Sequence, residues 1–377
     1  MRELDLVRED IDGVDDEILR LYRRRMQLTD EVADYKIQNK KPVYDRTRED
    51  EKLAKLTRQV DDPFLKKSVR ELFELIMSVS RKKQYCRVPE NENHLLSGFS
   101  FADSFDLHGV SVCYQGVEGA YSHAAALSYF PDDADIYHVS SWRDALSELV
   151  SGKADFAVLP IENSRAGAVD ENYDLLYEYD AAIVGEVVLP VSHALLGLPW
   201  ADPDGITDVY SHPQALMQCS KFLQVLHPDL EAHSVANTAL AASRIKKEGN
   251  PHHAAIASEL NASLYDLKVL ARNISDDTKN RTRFVIVSNK KCFLKSAKTV
   301  SICFELSNSE GALYRILSHF VFNDLNMTRI ESRPIVGRNW EYRFFVDFEG
   351  SLLMQDVSHA LLGLGEEAKA LKILGNY

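Results

Sequence analysis

Cysteine and long apolar runs are both scarce in this sequence. Five cysteines are scattered among 377 residues, and none has the Cys-x-x-Cys spacing of a zinc ribbon. Their odd number excludes a framework of disulfides, so we expect a protein of the reducing cytoplasm. There is no run of about 18 apolar residues, and we therefore predict no membrane-spanning helix. The charged first residues also leave no room for an apolar signal core.

Positive charge is in short supply too. The chain has 44 Lys and Arg against 57 Asp and Glu, a net charge of −13. Non-specific binding to nucleic acid needs a basic surface, so we expect no nucleic-acid partner. The imbalance is uneven, because residues 1–87 carry a net charge of +2 and the rest carries −15. The N-terminal segment is therefore predicted to be a separate module.

The N-terminal module has the pattern of three helices. Apolar residues alternate at spacings of three and four from Leu4 to Val32, which predicts one long helix over residues 4–40. A second helical pattern covers about 45–60, and a third starts at Pro63 and continues to about Tyr85. Three helices, one of them so long, cannot bury this apolar stripe alone. We therefore predict that a second copy of the chain pairs with them.

The rest of the chain changes pattern twice. From Val110 onwards, short β-branched runs alternate with helical segments, which predicts an α/β sheet, and its many strands fit two lobes with a cleft. After residue 298 the order strand-helix-strand-strand-helix-strand predicts a ferredoxin-like α+β domain. The predicted strands of the α/β region are 110–114, 136–139, 155–159, 182–189, 206–210, 232–235, 253–257 and 283–288.

Several polar residues lie where the helical stripes call for apolar ones. Arg25 falls on the seam of the first helix, and Ser80 and Gln84 follow Ile76 on the third. Salt bridges inside a helical bundle would explain each of these residues alone. Together, cations and neutral donors that converge on one interior favour a pocket for a small dianion, because guanidinium groups bind carboxylates well. The candidate residues are Arg8, Arg25, Lys36, Asp45, Arg48, Glu49, Ser80 and Gln84.

With these eight residues, segment 1–87 resembles the all-helical chorismate mutases. The resemblance implies an intertwined dimer with two active sites, to which Arg8 contributes from the partner chain. It also implies that Lys36 and Gln84 contact the ether oxygen of chorismate and that Glu49 accepts from its hydroxyl. The rearrangement to prephenate needs no nucleophile or metal, only a dianion held in its reactive shape with charge near the breaking bond.

The α/β region contains four polar segments at the ends of predicted strands. The first is a glycine turn that is neither a phosphate-binding loop nor a dinucleotide fingerprint, so ATP and NAD are not implied. The second follows a strand at the edge where α/β sheets bind ligands. The third has a proline at a helix start, where free N–H groups suit a carboxylate. The segments are Gly116–His123, Leu159–Gly167, Tyr210–Gln214 and Arg281–Phe284.

In this order, the four segments resemble those of the prephenate dehydratases. The resemblance covers roughly 108–290 and implies a two-lobed fold, like that of periplasmic binding proteins, with prephenate in the cleft. Thr282 is the candidate donor that helps the hydroxyl leave while CO₂ is lost. Further candidates for the cleft are Asn163, Ser211, Gln218, Ser122 and Arg283. Arg165 departs from the usual small residue and would either contact a carboxylate or face solvent.

The C-terminal segment carries two short motifs, Gly311-Ala312-Leu313 and Glu331-Ser332-Arg333-Pro334. As a pair they resemble the ACT domains of dehydratases that bind phenylalanine at a dimer interface, which implies feedback inhibition. The effector-binding candidates are Gly311, Ala312, Leu313, Glu331, Ser332 and Arg333. Tyr314 departs from the usual small aliphatic residue and would narrow the effector pocket.

These resemblances predict a bifunctional enzyme of phenylalanine synthesis, with a chorismate mutase domain at 1–87, a linker at 88–107, a prephenate dehydratase domain at 108–290 and an ACT domain at 298–377. Chorismate, prephenate and phenylalanine are the expected ligands, with no metal, cofactor or membrane partner. A homodimer or higher homo-oligomer is expected. Two alternatives stay open: an arogenate dehydratase, and an amino-acid-responsive regulator that binds ligand without chemistry. The intact mutase set and Thr282 segment argue against a mere sensor.

Overall fold

The computed structural model describes residues 2–89, 94–226, 230–335 and 337–377, which form two compact units. The first unit combines Met1–Phe99 with Ala297–Ile373, and the second combines Ser100–Ser296 with Leu374–Tyr377. The predicted N-terminal and C-terminal domains are therefore parts of one unit. Among the described helices, none is long and apolar enough to cross a membrane.

The three predicted N-terminal helices are confirmed. They are α1 (Leu4–Gln38), α2 (Arg46–Thr57) and α3 (Pro63–Tyr85). The Asp45 side chain caps α2 by accepting from the Arg48 N–H, and Asp62 caps α3 in the same way, with Pro63 at the first helical position. The apolar stripe of α1 is uncovered, since Leu4, Ile18 and Leu21 are each more than half exposed.

The second unit begins inside the predicted linker. Strand β1 (Ser100–Ala102) pairs in parallel with residues 292–294, so this part of segment 88–107 is ordered sheet; residues 90–93 lie outside the described residues. The remaining elements are β2 (Ser111–Gln115), α4 (Tyr121–Tyr129), β3 (Asp135–Val139), α5 (Trp142–Val150), β4 (Phe156–Asn163), β5 (Gly167–Ala168), α6 (Asp170–Glu178), β6 (Ala182–Pro190), β7 (Ala194–Gly197), β8 (Asp208–Ser211), α7 (Pro213–Gln218), α8 (Ser220–Leu226), β9 (Glu231–Ser234), α9 (Thr238–Glu248), β10 (His253–Ala257), α10 (Leu260–Leu264), β11 (Lys268–Ala271), β12 (Arg281–Ser288) and β13 (Cys292–Leu294).

Apart from the β1–β13 pair, these strands form two mixed sheets, one in each of two lobes. The first sheet has the order β6-β12-β4-β2-β3, with β5 beside β4, and the second has the order β11-β7-β10-β8-β9. The chain enters the second lobe after β6 and returns at β12, so two segments join the lobes. The sequence analysis missed the short strands β1, β5 and β13, and it also missed β7 and β11. Every residue of β7 is buried, so its sequence shows no alternation of polar and apolar residues.

A glycine turn leads into α4 and is locked from the other lobe. Gly119 has a φ of +86°, and its carbonyl accepts from the Asn261 side chain at 2.9 Å. Asn261 is fully buried. A Cβ at position 119 would overlap the Asn261 side-chain oxygen, so this turn requires glycine for two independent reasons.

The C-terminal part of the first unit has the predicted order of elements. It consists of β14 (Thr299–Leu306), α11 (Ala312–Phe322), β15 (Met327–Pro334), β16 (Tyr342–Glu349), α12 (Gln355–Glu367) and β17 (Ala370–Asn376), with the sheet order β15-β16-β14-β17. The last residues of β17 belong to the second unit, where Gly375 pairs with Ile183 of β6.

We predict that Gly119→Ala lowers the thermal unfolding midpoint more than Gly152→Ala does. Both glycines have positive φ, +86° and +76°, but an added Cβ at Gly152 meets open space among the described residues. The Gly152→Ala control should lower the free energy of unfolding by about 1 kcal/mol, because alanine disfavours a positive φ. Gly119→Ala has the same backbone penalty and also displaces the buried Asn261 side chain. Equal losses in the two variants would contradict the role of the Asn261 contact.

Candidate active sites

The helices of the first unit enclose a cavity of about 450 Å³. Seven of the eight residues predicted for the dianion pocket line it, namely Arg25, Lys36, Asp45, Arg48, Glu49, Ser80 and Gln84. The eighth, Arg8, lies on the exposed surface of α1, where it forms an ion pair with Asp5 at 3.2 Å. The seven residues come from three helices, and the periodic stripes bring them to one interior.

Arg25 is held against α3 by two contacts. Its guanidinium donates to the Ser80 hydroxyl and to the Ile76 carbonyl, the latter at 3.4 Å. Burial lowers the pKa of Arg25, and the nearby Tyr22 and Glu49 oppose that shift. The nearby negative groups therefore do not fully offset the burial of the Arg25 guanidinium, which favours the binding of an incoming carboxylate.

Lys36 reaches across to the segment that joins α1 and α2. Its ammonium group donates to the Val43 carbonyl at 2.5 Å. Burial lowers the pKa of Lys36, while the carboxylates of Glu366, Asp45 and Glu49 oppose this effect. The cation therefore depends on these neighbours to remain protonated inside the cavity.

Arg81 also lines the helical cavity, and the sequence analysis missed it. It is only 4% exposed and forms an ion pair with Glu49 inside the cavity wall. It lies four residues after buried Met77, on a second buried face of α3, and this spacing is the signal that points to it. Arg81 fixes one side of the Glu49 carboxylate.

The second unit has its own cavity of about 300 Å³. Three predicted residues line it: Asn163, Gln218 and Thr282. Sequence reasoning missed most of the remaining lining, which is formed by Ala120, Tyr121, Ala166, Val191, His193, His212, Gln214, Ala215, Asn237, Thr238 and Asn280. This second lining is largely neutral, in contrast to the charged helical cavity.

Asn163 and Thr282 form an oriented pair across β4 and β12. The Asn163 amide oxygen accepts from the backbone N–H groups of Arg165 and Ala166, both at 3.0 Å. Its NH₂ group must then face the other way, where it donates to the Thr282 hydroxyl oxygen at 2.9 Å. Because this bond uses an oxygen lone pair, the Thr282 hydroxyl keeps its own proton for a ligand in the cavity.

His193 orients Gln218 in a similar manner. Its Nε2 lies 3.0 Å from the Gln218 amide oxygen, and its Nδ1 lies 3.3 Å from the Tyr121 hydroxyl. Burial lowers the pKa of His193, which favours a neutral ring. The Tyr121 hydroxyl also donates to the Ser192 carbonyl at 2.9 Å. The tautomer with its hydrogen on Nε2 donates to the Gln218 amide oxygen and turns the Gln218 NH₂ group towards the cavity.

Three other predicted residues lie outside this cavity lining as the described residues define it. Ser122 is buried in α4, and Ser211 is fully buried and donates to the Ile256 carbonyl at 2.6 Å. Arg283 forms an ion pair with Glu186 at 2.7 Å and donates to the Tyr377 hydroxyl. Arg165, whose role was left open, pairs with Asp277 at the surface.

A small cavity of about 150 Å³ lies at the start of α11. Ala312 and Leu313 line it, and three aromatic side chains form one part of its wall: Trp340, Tyr342 and Phe344. The rest of the lining is Leu306, Ser307, Asn308 and Ser309. Gly311 precedes the helix with a φ of +68°. Glu331, Ser332 and Arg333 lie on β15, where Ser332 is the cross-strand partner of Phe344. Tyr314 is 70% exposed and does not narrow this cavity.

One group among the described residues has metal-ligand chemistry. Asp208, Glu231 and His233 bring their ligand atoms within 4.8 Å of one another at the edge of the second sheet. Asp208 accepts from Thr207 and lies 2.6 Å from the His233 ring, and these hydrogen bonds lower its pKa. The cluster is satisfied internally and lies apart from the lining of all three cavities.

Two family models match separate parts of the chain. A family model for chorismate mutase type II matches residues 7–85, and one for prephenate dehydratase matches residues 112–292. A bifunctional chorismate mutase/prephenate dehydratase from Pseudomonas aeruginosa is 34% identical over 380 residues, covering 100% of this chain and 97% of the relative.

Two further relatives each match about seven tenths of the chain. Arogenate dehydratase 4 (chloroplastic) from Arabidopsis thaliana is 40% identical over 291 residues, covering 72% of this chain and 68% of that protein. A crystal structure of prephenate dehydratase from Arthrobacter aurescens in complex with L-Phe has a TM-score of 0.66 and 30% identity, covering 71% of this chain and 90% of that chain.

The two family models follow each other in the order predicted from the motifs. The Pseudomonas relative extends the similarity to the whole chain. The chain therefore belongs to the family of bifunctional chorismate mutase/prephenate dehydratases.

Proposed function

We propose that this chain carries out two consecutive reactions. Its helical cavity rearranges chorismate to prephenate, and its second cavity converts prephenate to phenylpyruvate. The observation that carries the proposal is the pairing of two different linings in one chain, one rich in cations and one rich in neutral donors. The cytoplasmic location of the protein remains a prediction.

The charged cavity fits the demands of the first reaction. Arg25 and Arg48 are positioned for the carboxylates of a dianion, and Lys36 supplies positive charge for the ether oxygen, which gains electron density as its bond breaks. Glu49 accepts from the substrate hydroxyl, while Arg81 holds its other side. Binding in a compact conformer lowers the barrier, because the reaction is intramolecular and needs no covalent partner.

The neutral cavity fits the second reaction. The ring carboxylate of prephenate leaves as CO₂, its bonding electrons enter the ring, and the C4 hydroxyl leaves as water after receiving a proton. Thr282 is the proposed donor, since it lines the cavity and its oxygen accepts from Asn163, which leaves its O–H to donate to the substrate. Gln218, oriented by His193, binds substrate oxygen atoms. Ser122, Ser211 and Arg283 support the cavity from outside its lining.

The first site is completed by a second copy of the chain. The uncovered apolar stripe on α1, where Leu4, Ile11 and Ile18 are each 53–62% exposed, supports a helical dimer. Arg8 is on the same helix and outside its own cavity. In the proposed dimer, Arg8 enters the cavity of the partner and binds a substrate carboxylate.

Phenylalanine is the proposed effector, and the C-terminal domain is of the ACT type. The aromatic wall beside Ala312 and Leu313 suits a phenyl ring, and the helix start after Gly311 offers N–H groups to its carboxylate. Glu331, Ser332 and Arg333 on the neighbouring strand β15 contribute polar contacts. Inhibition then requires two states of the enzyme that differ in their affinity for phenylalanine.

Arogenate is the alternative substrate of the second cavity, because the Arabidopsis relative is named as an arogenate dehydratase. The two substrates differ in a keto group and an amino group. The neutral lining of the cavity favours the keto acid. A comparison of kcat/KM for prephenate and arogenate distinguishes them.

Purified protein should convert chorismate to phenylpyruvate without any added cofactor. Arg25→Ala and Arg8→Ala should each abolish loss of chorismate yet still dehydrate added prephenate, because the two cavities lie in different units. Mixing the two variants should restore about a quarter of wild-type mutase activity, since half of the random dimers have one intact site. No recovery on mixing would contradict the shared site, and no conversion by wild type would contradict the function.

Thr282→Val keeps the shape of the side chain and removes its hydroxyl. We predict that the dehydratase kcat falls by about 100-fold or more, the range for loss of a general acid, with a smaller change in KM. Thr282→Ser keeps the hydroxyl and should retain most of the activity. Steady-state assays with prephenate measure both variants, and a fully active valine variant would rule out the donor role.

Leu313→Ala should weaken phenylalanine binding by roughly 10-fold, because Leu313 lines the aromatic cavity and loses apolar contact with the ligand. Tyr314→Ala is the matched control, since the adjacent Tyr314 side chain is 70% exposed. Titration calorimetry and inhibition of dehydratase activity give the two readouts. Equal affinity in both variants would place the effector elsewhere, and no binding by wild type at millimolar phenylalanine would show a different effector.

A further inference from the structure

Two adjacent glutamates end α12 and turn towards the N-terminal helices. A carboxylate at the C-terminal end of a helix is opposed by the helix dipole, so Glu366 and Glu367 need other partners there. Glu367 is almost fully buried, with 6% of its side chain exposed. Both residues find their partners in the walls of the mutase cavity.

Glu366 binds the segment between α1 and α2. Its two carboxylate oxygens accept from the backbone N–H groups of Val43, at 3.0 Å, and Tyr44, at 2.5 Å. The Tyr85 hydroxyl donates to the same carboxylate at 2.9 Å. Three donors thus hold Glu366 in one orientation, and Glu366 in turn holds the segment that leads to the cap of α2.

The same segment receives Lys36 on its other side. The Lys36 ammonium group donates to the Val43 carbonyl, while the Val43 N–H donates to Glu366. Displacement of this segment would therefore move Lys36 within the cavity. Its far end is Asp45, which caps α2 and so fixes the start of the helix that carries Arg48 and Glu49.

Glu367 reaches the cavity through Arg81. The Arg81 Nε donates to Glu367 at 3.1 Å, and its Nη1 donates to Glu49. The guanidinium also lies 4.7 Å from the centre of the Tyr44 ring. The same Oε1 atom of Glu367 accepts from the buried His319 at 3.0 Å. Glu367 and Glu49 therefore share the positive charge of Arg81, and part of the Glu49 carboxylate stays available to the substrate.

We propose that Glu366 and Glu367 are positioning residues of the chorismate mutase site, through which the C-terminal domain completes that site. The proposal rests on the mutase function proposed above. Glu366 sets the place of Lys36 through the Val43–Tyr44 segment, and Glu367 sets the place of Glu49 through Arg81. Neither glutamate contacts the substrate.

The charges around Lys36 provide a readout that a purely structural role would not affect. Lys36 is faced by Asp45 at the cap of α2, by Arg48 and Glu49 from α2 and by Glu366 from α12. Arg81 from α3 lines the same cavity. Burial lowers the pKa of Lys36, and Glu366 is the strongest of the carboxylates that oppose the shift. Loss of the Glu366 charge should therefore let Lys36 deprotonate at a lower pH.

The test uses the full-length chain with Glu366→Gln, which keeps an acceptor for one backbone N–H and removes the charge. We expect a mutase kcat reduced by about 10-fold, with a smaller change in KM, the size expected for a misplaced catalytic group. The alkaline fall of mutase activity should begin at a lower pH than in wild type. Glu366→Asp restores the charge and should return that fall towards its wild-type pH, although its shorter side chain leaves kcat reduced.

Glu349→Gln is the matched control, because Glu349 is an exposed glutamate at the end of β16 in the same unit. It should leave both mutase kcat and the pH profile unchanged, and the dehydratase rate with added prephenate should be the same in all variants. Circular dichroism melting confirms that each variant is folded. Mutase activity and pH profile in Glu366→Gln equal to those of Glu349→Gln would overturn the proposal, whereas an inactive wild type would instead reject the mutase function.

Glu367→Gln tests the second connection. Without Glu367, Arg81 should bind Glu49 with all of its charge, so we expect a higher KM for chorismate together with a lower kcat. The double variant Arg81→Met with Glu367→Gln removes the competing cation and should recover part of the lost affinity. A double variant with the same KM as Glu367→Gln would show that Glu367 does not act through Arg81.

Discussion

The burial of the Arg81 guanidinium is the constraint on which the first unit depends. Arg81 is 4% exposed, and a buried guanidinium is costly unless both its charge and its donors are matched. Its partners, Glu49 and Glu367, come from opposite ends of the chain.

Burial would lower the pKa of Arg81, but the two carboxylates outweigh this effect and raise it. For Glu367, burial would raise the pKa, but His319 and Arg81 outweigh that and lower it. The charges therefore persist, and they hold the N-terminal helices and the C-terminal strands in one unit.

The two cavities solve different chemical problems with different side chains. In the helical cavity, half-buried cations are balanced by carboxylates, which suits the fixed positive charge that the proposed mutase reaction needs. The cavity of the second unit is lined by neutral groups whose donors and acceptors are assigned by their neighbours, which suits the directed proton of the proposed dehydratase reaction. Two backbone N–H groups set the orientation of Asn163, and His193 sets that of Gln218. In both cavities the orienting groups are as important to the chemistry as the groups that touch the substrate.

The C-terminal part of the chain contributes to both units. Its two glutamates hold the mutase segment Val43–Tyr44 and Arg81 in the first unit. Its last residues belong to the second unit, where the Tyr377 hydroxyl accepts from Arg283, the neighbour of Thr282. The C-terminal part of the chain is therefore built into both units.

Local periodicity determined the elements and much of the helical site. The stripe from Leu4 to Val32 predicts α1 because a helix repeats its faces every 3.6 residues, and Arg25 is conspicuous because it interrupts that stripe. The strand-helix order of the C-terminal segment is confirmed for the same reason. By contrast, the strand β7 was missed because all of its residues are buried and its sequence has no period. Thr282 could be chosen from its motif, but Arg283 could not join it in the cavity, since adjacent residues of a strand face opposite sides of the sheet.

Only the tertiary structure decided which distant side chains complete the sites. Arg81 was missed because its partners lie at positions 49 and 367, and no local pattern links those positions. His193 was missed because its role depends on Gln218, which another part of the second lobe supplies. Glu366 reads in sequence as a charged residue at a helix end, and its contact with Val43 exists only after the two ends of the chain have met. The sequence by itself determined the elements and the chemical types of the sites, because these depend on neighbours a few residues apart. The orientation of each functional group was decided by the fold, because hydrogen bonds and ion pairs join atoms that are close in space and far apart in the chain.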